Sequence, residues 1–149
     1  MKHLFRTAVF LLTLSLGTAS VQAQMRKIPS KVTDAFTAKY PDATGVEWRD
    51  KVSEFSVVFT SNGVKYDARY NGKGKWLNTE SEVPIDNLPA PVKEGIEKSK
   101  YSDWEAEKAH RVDRPDKVQY RVQVGKSGVQ KKNLIFDDKG KLLKDNVTL

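Results

Sequence analysis

The sequence contains no cysteine. That absence excludes a disulfide framework, a thiol nucleophile and a thiolate metal site. Histidine is scarce: His3 and His110 are the two present. A Ser-His-Asp arrangement would have to be built around His110, and no Gly-x-Ser-x-Gly elbow stands anywhere in the chain. His110 falls within a strand pattern and reads as an ordinary strand histidine. Clustered His, Cys or carboxylate ligands are missing as well. Asp137-Asp138-Lys139-Gly140 resembles a calcium loop only faintly. It lacks the alternating acidic spacing and the distal Glu, and reads as a hairpin turn. The glycine turns near Gly72 and Gly125 lead into strands, not helices, so they lack the context of a phosphate loop. The residues point to no cofactor and no enzyme class.

Long apolar runs are also few. The one that stands out is Ala8 to Leu16, between Lys2 and Arg6 on one side and Gly17 on the other. It is shorter than the about 20 apolar residues a membrane helix needs. Val21-Gln22-Ala23 then offers small residues for a signal peptidase. Residues 1–23 therefore read as a cleavable secretory signal, with cleavage after Ala23 and a mature domain over 24–149. The expected location is periplasmic or secreted, with no integral membrane segment after cleavage. The formal net charge is +7, and losing Lys2 and Arg6 with the leader lowers it to +5. Export argues against nucleic acid as a partner.

What the sequence does contain is an internal echo. Ile28-Pro29, Val32 and Phe36 recur as Leu88-Pro89, Val92 and Ile96, at an offset of 60. Phe55, Val57, Phe59 and Gly63 recur as Tyr120, Val122, Val124 and Gly128. Tyr70, Gly74-Lys75 and Leu77 recur as Phe136, Gly140-Lys141 and Leu143, at an offset of 66. The offset grows mainly where the second copy carries the turn-rich stretch Asp113-Arg114-Pro115-Asp116-Lys117. Loops accept insertions where packed elements do not. Two repeats, about 27–80 and 87–145, are expected.

Each repeat reads as one helix followed by strands. Ile28, Val32, Ala35, Phe36 and Tyr40 make one apolar stripe, with Pro29 in the first helical turn and Pro41 as the stop. Leu88, Val92 and Ile96 repeat it, and Gly95 weakens that helix by about 1 kcal/mol relative to Ala. Strands are expected at 46–49, 55–59, 64–70 and 75–79, and again at 104–112, 118–124, 129–136 and 141–143. Ser81 to Asn87 is expected to join the copies, packing them side by side or continuing one sheet. Period-two alternation puts one sheet face under the helices and leaves the other polar and open. The expected fold class is α+β, a duplicated helix-plus-antiparallel-strands unit with helices on one face of one sheet.

The ordered set Ile28-Pro29-x-x-Val32, Ala35-Phe36, Lys39-Tyr40-Pro41-x-Ala43, Val46-x-Trp48, Gly74-Lys75-Trp76-Leu77-x-Thr79-Glu80 and Leu88-Pro89-x-x-Val92 resembles the PepSY-like family of bacterial exported proteins, also described as beta-lactamase-inhibitor-like. The second copy departs from it, with Ser102 in place of Pro41 and no match for Trp48 or Trp76. The resemblance implies a tandem α+β fold outside the cytoplasm and no known catalysis. Relatives in that family include propeptide modules that restrain peptidases and an inhibitor that grips an enzyme with its open sheet face.

Two functional readings follow. In the first, the chain binds another exported protein, such as a peptidase or other hydrolase, through the open face. The candidate contact residues are Lys65, Asp67, Arg69, Arg121 and Gln123, with Lys131 and Asn133 beside them. Trp104, which stands where the first copy has Ala43, is the candidate aromatic anchor. In the second, a small ligand or ion sits between sheet and helices, in a pocket lined by Tyr66, Tyr70 and Trp76.

Overall fold

The computed structural model describes residues 27–147. The expected leader lies outside the described residues. Helix α1 spans Ser30–Lys39 and is followed by strands β1 (Thr44–Lys51), β2 (Glu54–Ser61), β3 (Val64–Asn71) and β4 (Trp76–Val83). Helix α2 spans Ala90–Glu97 and is followed by β5 (Glu105–Asp113), β6 (Val118–Lys126), β7 (Gln130–Asp137) and β8 (Leu142–Val147). All eight strands form one antiparallel sheet whose spatial order is the chain order.

Burial follows the alternation. On β2, Phe55, Val57 and Phe59 are buried on the helix side, and Ala68 and Tyr70 of β3 continue that core. Helix α1 lays Val32 and Phe36 onto it, four residues apart and so on one face. The Phe36 ring meets Phe59 edge-on at 5.1 Å and Trp48 at 5.4 Å. In the second half, Val92 of α2 and the preceding Leu88 cover Ala109, Tyr120, Val122, Val124, Leu134 and Phe136. Tyr101 is tied to β8 through its hydroxyl, which donates to Asp145 Oδ2 at 2.6 Å. Lys100 and that hydroxyl together hold the Asp145 carboxyl down, at about 2.

The turns after β3 and β7 use one device. Asn71 Oδ1 accepts the backbone N–H groups of Lys73 and Lys75, both at 3.0 Å. Asp137 Oδ1 accepts those of Lys139 and Lys141, at 3.0 and 2.8 Å. The loop at Asp137 is thus a hairpin turn, as its spacing indicated.

Four expectations need correction. Pro29 does not begin the helix; it caps it in an extended conformation, and its carbonyl accepts from Val32 at 2.9 Å and Thr33 at 3.3 Å. Trp104 precedes β5 instead of opening it. The first three residues of the supposed joining segment are strand: Ser81, Glu82 and Val83 pair with Arg111, His110 and Ala109, and Glu80 before them pairs with Val112. These polar residues hid the strand because β4 is completed by pairing on both sides, not by an apolar pattern. Finally, the space meant for a ligand between sheet and helix is filled. Tyr70 has no exposed surface, and Tyr66 and Trp76 pack against the same core.

Gly95 has a reason beyond helix propensity. A Cβ there would lie 2.1 Å from the Gly140 carbonyl oxygen, and one on Gly140 would lie 1.9 Å from that of Pro91. Helix and turn touch backbone to backbone, and Gly140 also needs its φ of +81°. Helix propensity alone makes Gly95→Ala stabilising by about 1 kcal/mol. We expect the opposite sign, a loss of about 2 kcal/mol in denaturant unfolding, because the helix must lift from the turn. Tyr70 supplies a second test. Its hydroxyl is buried with no protein partner, and burial pushes its ionisation upward. Tyr70→Phe is therefore expected to stabilise by about 1 kcal/mol; a clear loss on thermal unfolding would refute the buried, unpaired hydroxyl.

Candidate functional site: the open face of the sheet

The face opposite the helices is less wet than alternation implies. Rows of the sheet cross it in register. Val58, Asp67, Glu80 and Val112 stand side by side on β2 to β5. Ser56, Arg69 and Asn78 form the neighbouring row. Val58, Val112, Ser56 and Asn78 are each less than 8 % exposed. The same rows carry charged residues, Asp67 and Glu80 beside the valines and Arg69 beside Ser56 and Asn78.

The residues expected here divide cleanly. Lys65, Asp67 and Arg69 are on β3, and Arg121 and Gln123 on β6, all on this face. Lys131 and Asn133 on β7 belong to it as well. Trp104 does not join them. It is half-buried against the second core, with its ring edge-on to Tyr101 at 5.2 Å.

Four of the expected residues, Lys65, Asp67, Arg69 and Arg121, border a hollow of about 420 Å³ together with Arg49, Glu80 and His110. The hollow spans the line where the two halves meet. Across that line Arg121 donates from Nη2 to Glu80 Oε2 at 2.6 Å, a charge-assisted contact between β6 and β4. Arg69 Nη1 reaches Glu54 at 3.2 Å. Between these pairs lies a buried polar patch. Ser56 Oγ, Asp67 Oδ1, Arg69 Nε and Asn78 Oδ1 are buried without a protein hydrogen-bond partner.

Electrostatics follow from the same packing. Burial raises the Asp67 carboxyl, against the pull of Arg69. Burial lowers the His110 imidazole, aided by the Arg121 guanidinium, which it faces across the β5–β6 ladder. His110 and Glu80 were not among the residues expected on this face from the sequence. His110 looked ordinary, and Glu80 looked like the end of a strand instead of its middle. No group of three or more His, Cys, Asp or Glu that could hold a metal is found among the described residues.

The two shifts act in opposite directions with pH. Above pH 3.8 the unfolded chain loses the Asp67 proton while the folded protein still holds it, so stability falls as pH rises through that window. Below pH 6.5 the unfolded chain takes up the His110 proton first, so stability falls as pH drops. Asp67→Asn is expected to raise Tm near neutral pH, and His110→Gln to flatten the acid limb just below 6.5. Tm measured against pH for both variants checks this; parallel curves for wild type and variants would contradict it.

Comparisons place the fold among solved structures. A DUF2874 family protein from Bacteroides ovatus superposes with a TM-score of 0.76 at 27% identity, covering 81% of this chain and 88% of that one. A BLIP-like protein from Bacteroides fragilis gives a TM-score of 0.74 at 25% identity, with 82% and 87% covered. A protein from Bacteroides eggerthii described as “putative periplasmic” gives 0.74 at 24% identity, with 81% and 89% covered. No curated protein matches the chain significantly. No helix among the described residues is long and apolar enough to cross a membrane. The family model described as “Putative beta-lactamase-inhibitor-like, PepSY-like” matches residues 53–144. With an eight-stranded antiparallel sheet, two helices on one side and that match over most of its length, the chain belongs to the PepSY-like family.

Proposed function

We propose that this protein binds another exported protein through the open face of its sheet and performs no chemistry of its own. The observation that carries the reading is the face itself. It runs unbroken across both halves, is cross-pinned by Arg121 and Glu80, and buries valines beneath mixed charges. Apolar ground under charges is the make-up of protein interfaces: the apolar part anchors, the charges steer and select. The likeness to a BLIP-like protein supports the same use of the fold, although fold alone does not dictate function. The partner we expect is a peptidase or other hydrolase, held and restrained. The leader pattern at 1–23 and the relative described as periplasmic support a location in the envelope or outside it. We further read the recurring order, one helix then four strands, as two copies of one unit. The matching Asx turns at Asn71 and Asp137 support that reading.

The test is co-purification from envelope extract, comparing wild type with two surface variants. Lys65→Glu combined with Arg49→Glu alters the open face; Lys93→Glu alters a helix. The open-face variant is expected to lose at least about tenfold in partner retention, about 1.4 kcal/mol, and the helix variant nothing. Equal retention by all three, or no specific partner for the folded protein, overturns the proposal.

A further inference from the structure

The open face carries a second and larger hollow, of about 580 Å³. One wall is the β5–β6 turn, where the Arg114 N–H donates to the Lys117 carbonyl at 2.9 Å. This is the stretch that makes the second half longer than the first. The corresponding β1–β2 turn of the first half is shorter, so this wall has no match there, while Leu77 and Glu80 of β4 also line the hollow.

The floor of this hollow is apolar. Val112 of β5 and Ile135 of β7 both line it, from neighbouring rows of the open face. Leu77 and Leu143 reach it by a shared irregularity. Arg69 pairs with Asn78 and Tyr70 with Trp76, which leaves Leu77 as an extra residue. Ile135 pairs with Lys144 and Phe136 with Leu142, which leaves Leu143 as an extra residue. Each bulge re-aims a leucine toward the hollow. Leu143 is 42 % exposed there.

The rim is cationic. Arg114, Lys117, Arg121 and Lys144 line the hollow, against two carboxylates, Glu80 and Asp116. Glu80 is already engaged by Arg121 at 2.6 Å, and Asp116 lies beside Lys117 at 3.8 Å. A greasy floor under an excess of positive charge fits an aliphatic side chain next to a carboxylate. Because Glu80 and Arg121 also border the 420 Å³ hollow, the two are one continuous surface. That continuity favours a protein segment over an isolated small molecule, since the occupant can run on across the sheet.

We propose that this hollow is the anchoring subsite of the binding face and takes an exposed loop of the partner carrying an aliphatic residue followed by an acidic one. The inference rests on the open-face reading above and names the chemistry of its partner.

Amide chemical-shift mapping tests it without knowing the partner. The ¹⁵N-labelled protein is titrated with the blocked tetrapeptide Gly-Leu-Glu-Gly, to about 10 mM, the range suited to one weak subsite. Saturable shifts are expected at Val112, Lys117, Ile135, Leu143 and Lys144. Exchanging Glu for Gln, or Leu for Ala, in the peptide should weaken binding at least about fivefold. Leu143→Ser and Lys144→Glu in the protein, both at exposed positions, should do the same while the rest of the spectrum stays in place. Equal binding by the Gln peptide, or the same shifts from sodium acetate alone, overturns the proposal, as does no saturable shift. Shifts centred on Asp67 and Arg69 overturn this subsite but leave the open-face reading standing; shifts confined to the helix side overturn both.

Discussion

Helix α2 can rest on the sheet only where nothing stands between two backbones. Gly95 meets the carbonyl of Gly140, and Gly140 meets that of Pro91, at distances no side chain could share. In the first half Gly74 plays the same part, where a Cβ would lie 2.4 Å from the Lys31 carbonyl. Each helix is short, ten residues in one case and eight in the other. Such helices are not stable alone in water. Docking on a turn and burying two or three apolar side chains holds them in place. Because both helices are seated on one side, the whole opposite face is left for another use.

That opposite face balances two demands. A polar face of a sheet dissolves well but grips nothing strongly. An apolar face grips but invites aggregation. Here valines lie beneath charged side chains that pair across strands, as Arg121 does with Glu80 and Arg69 with Glu54. Neither pair is fully buried, so neither carries the full penalty of a desolvated ion pair. Charged pairs and buried valines thus share the same face.

Much of this was legible in the sequence because period and turn chemistry are local. The stripe of Val32 and Phe36, the alternation of Phe55, Val57 and Phe59, and the asparagine and aspartate turns each announce themselves within a few residues. So did the candidates Lys65, Asp67, Arg69, Arg121 and Gln123, which alternate with core residues on strands. What stayed hidden depends on distant partners. Glu80 to Val83 is strand because β5 pairs with it. Leu77 and Leu143 repeat in the sequence like core residues, yet a bulge turns each outward. Trp104 looked like an exposed anchor because its counterpart is alanine. Its indole instead packs against the second core, edge-on to Tyr101.

The strand order has a kinetic corollary. Six of the seven ladders join strands connected by a hairpin turn, so each can zip as soon as its own residues are available. The exception is β4 with β5, separated by the stretch from Pro84 to Trp104 that contains α2. Closing that longer loop must await the helix and costs more chain entropy. The line where the halves meet is thus the join that costs the most chain entropy to close. The Arg121–Glu80 contact lies across that line, one strand removed.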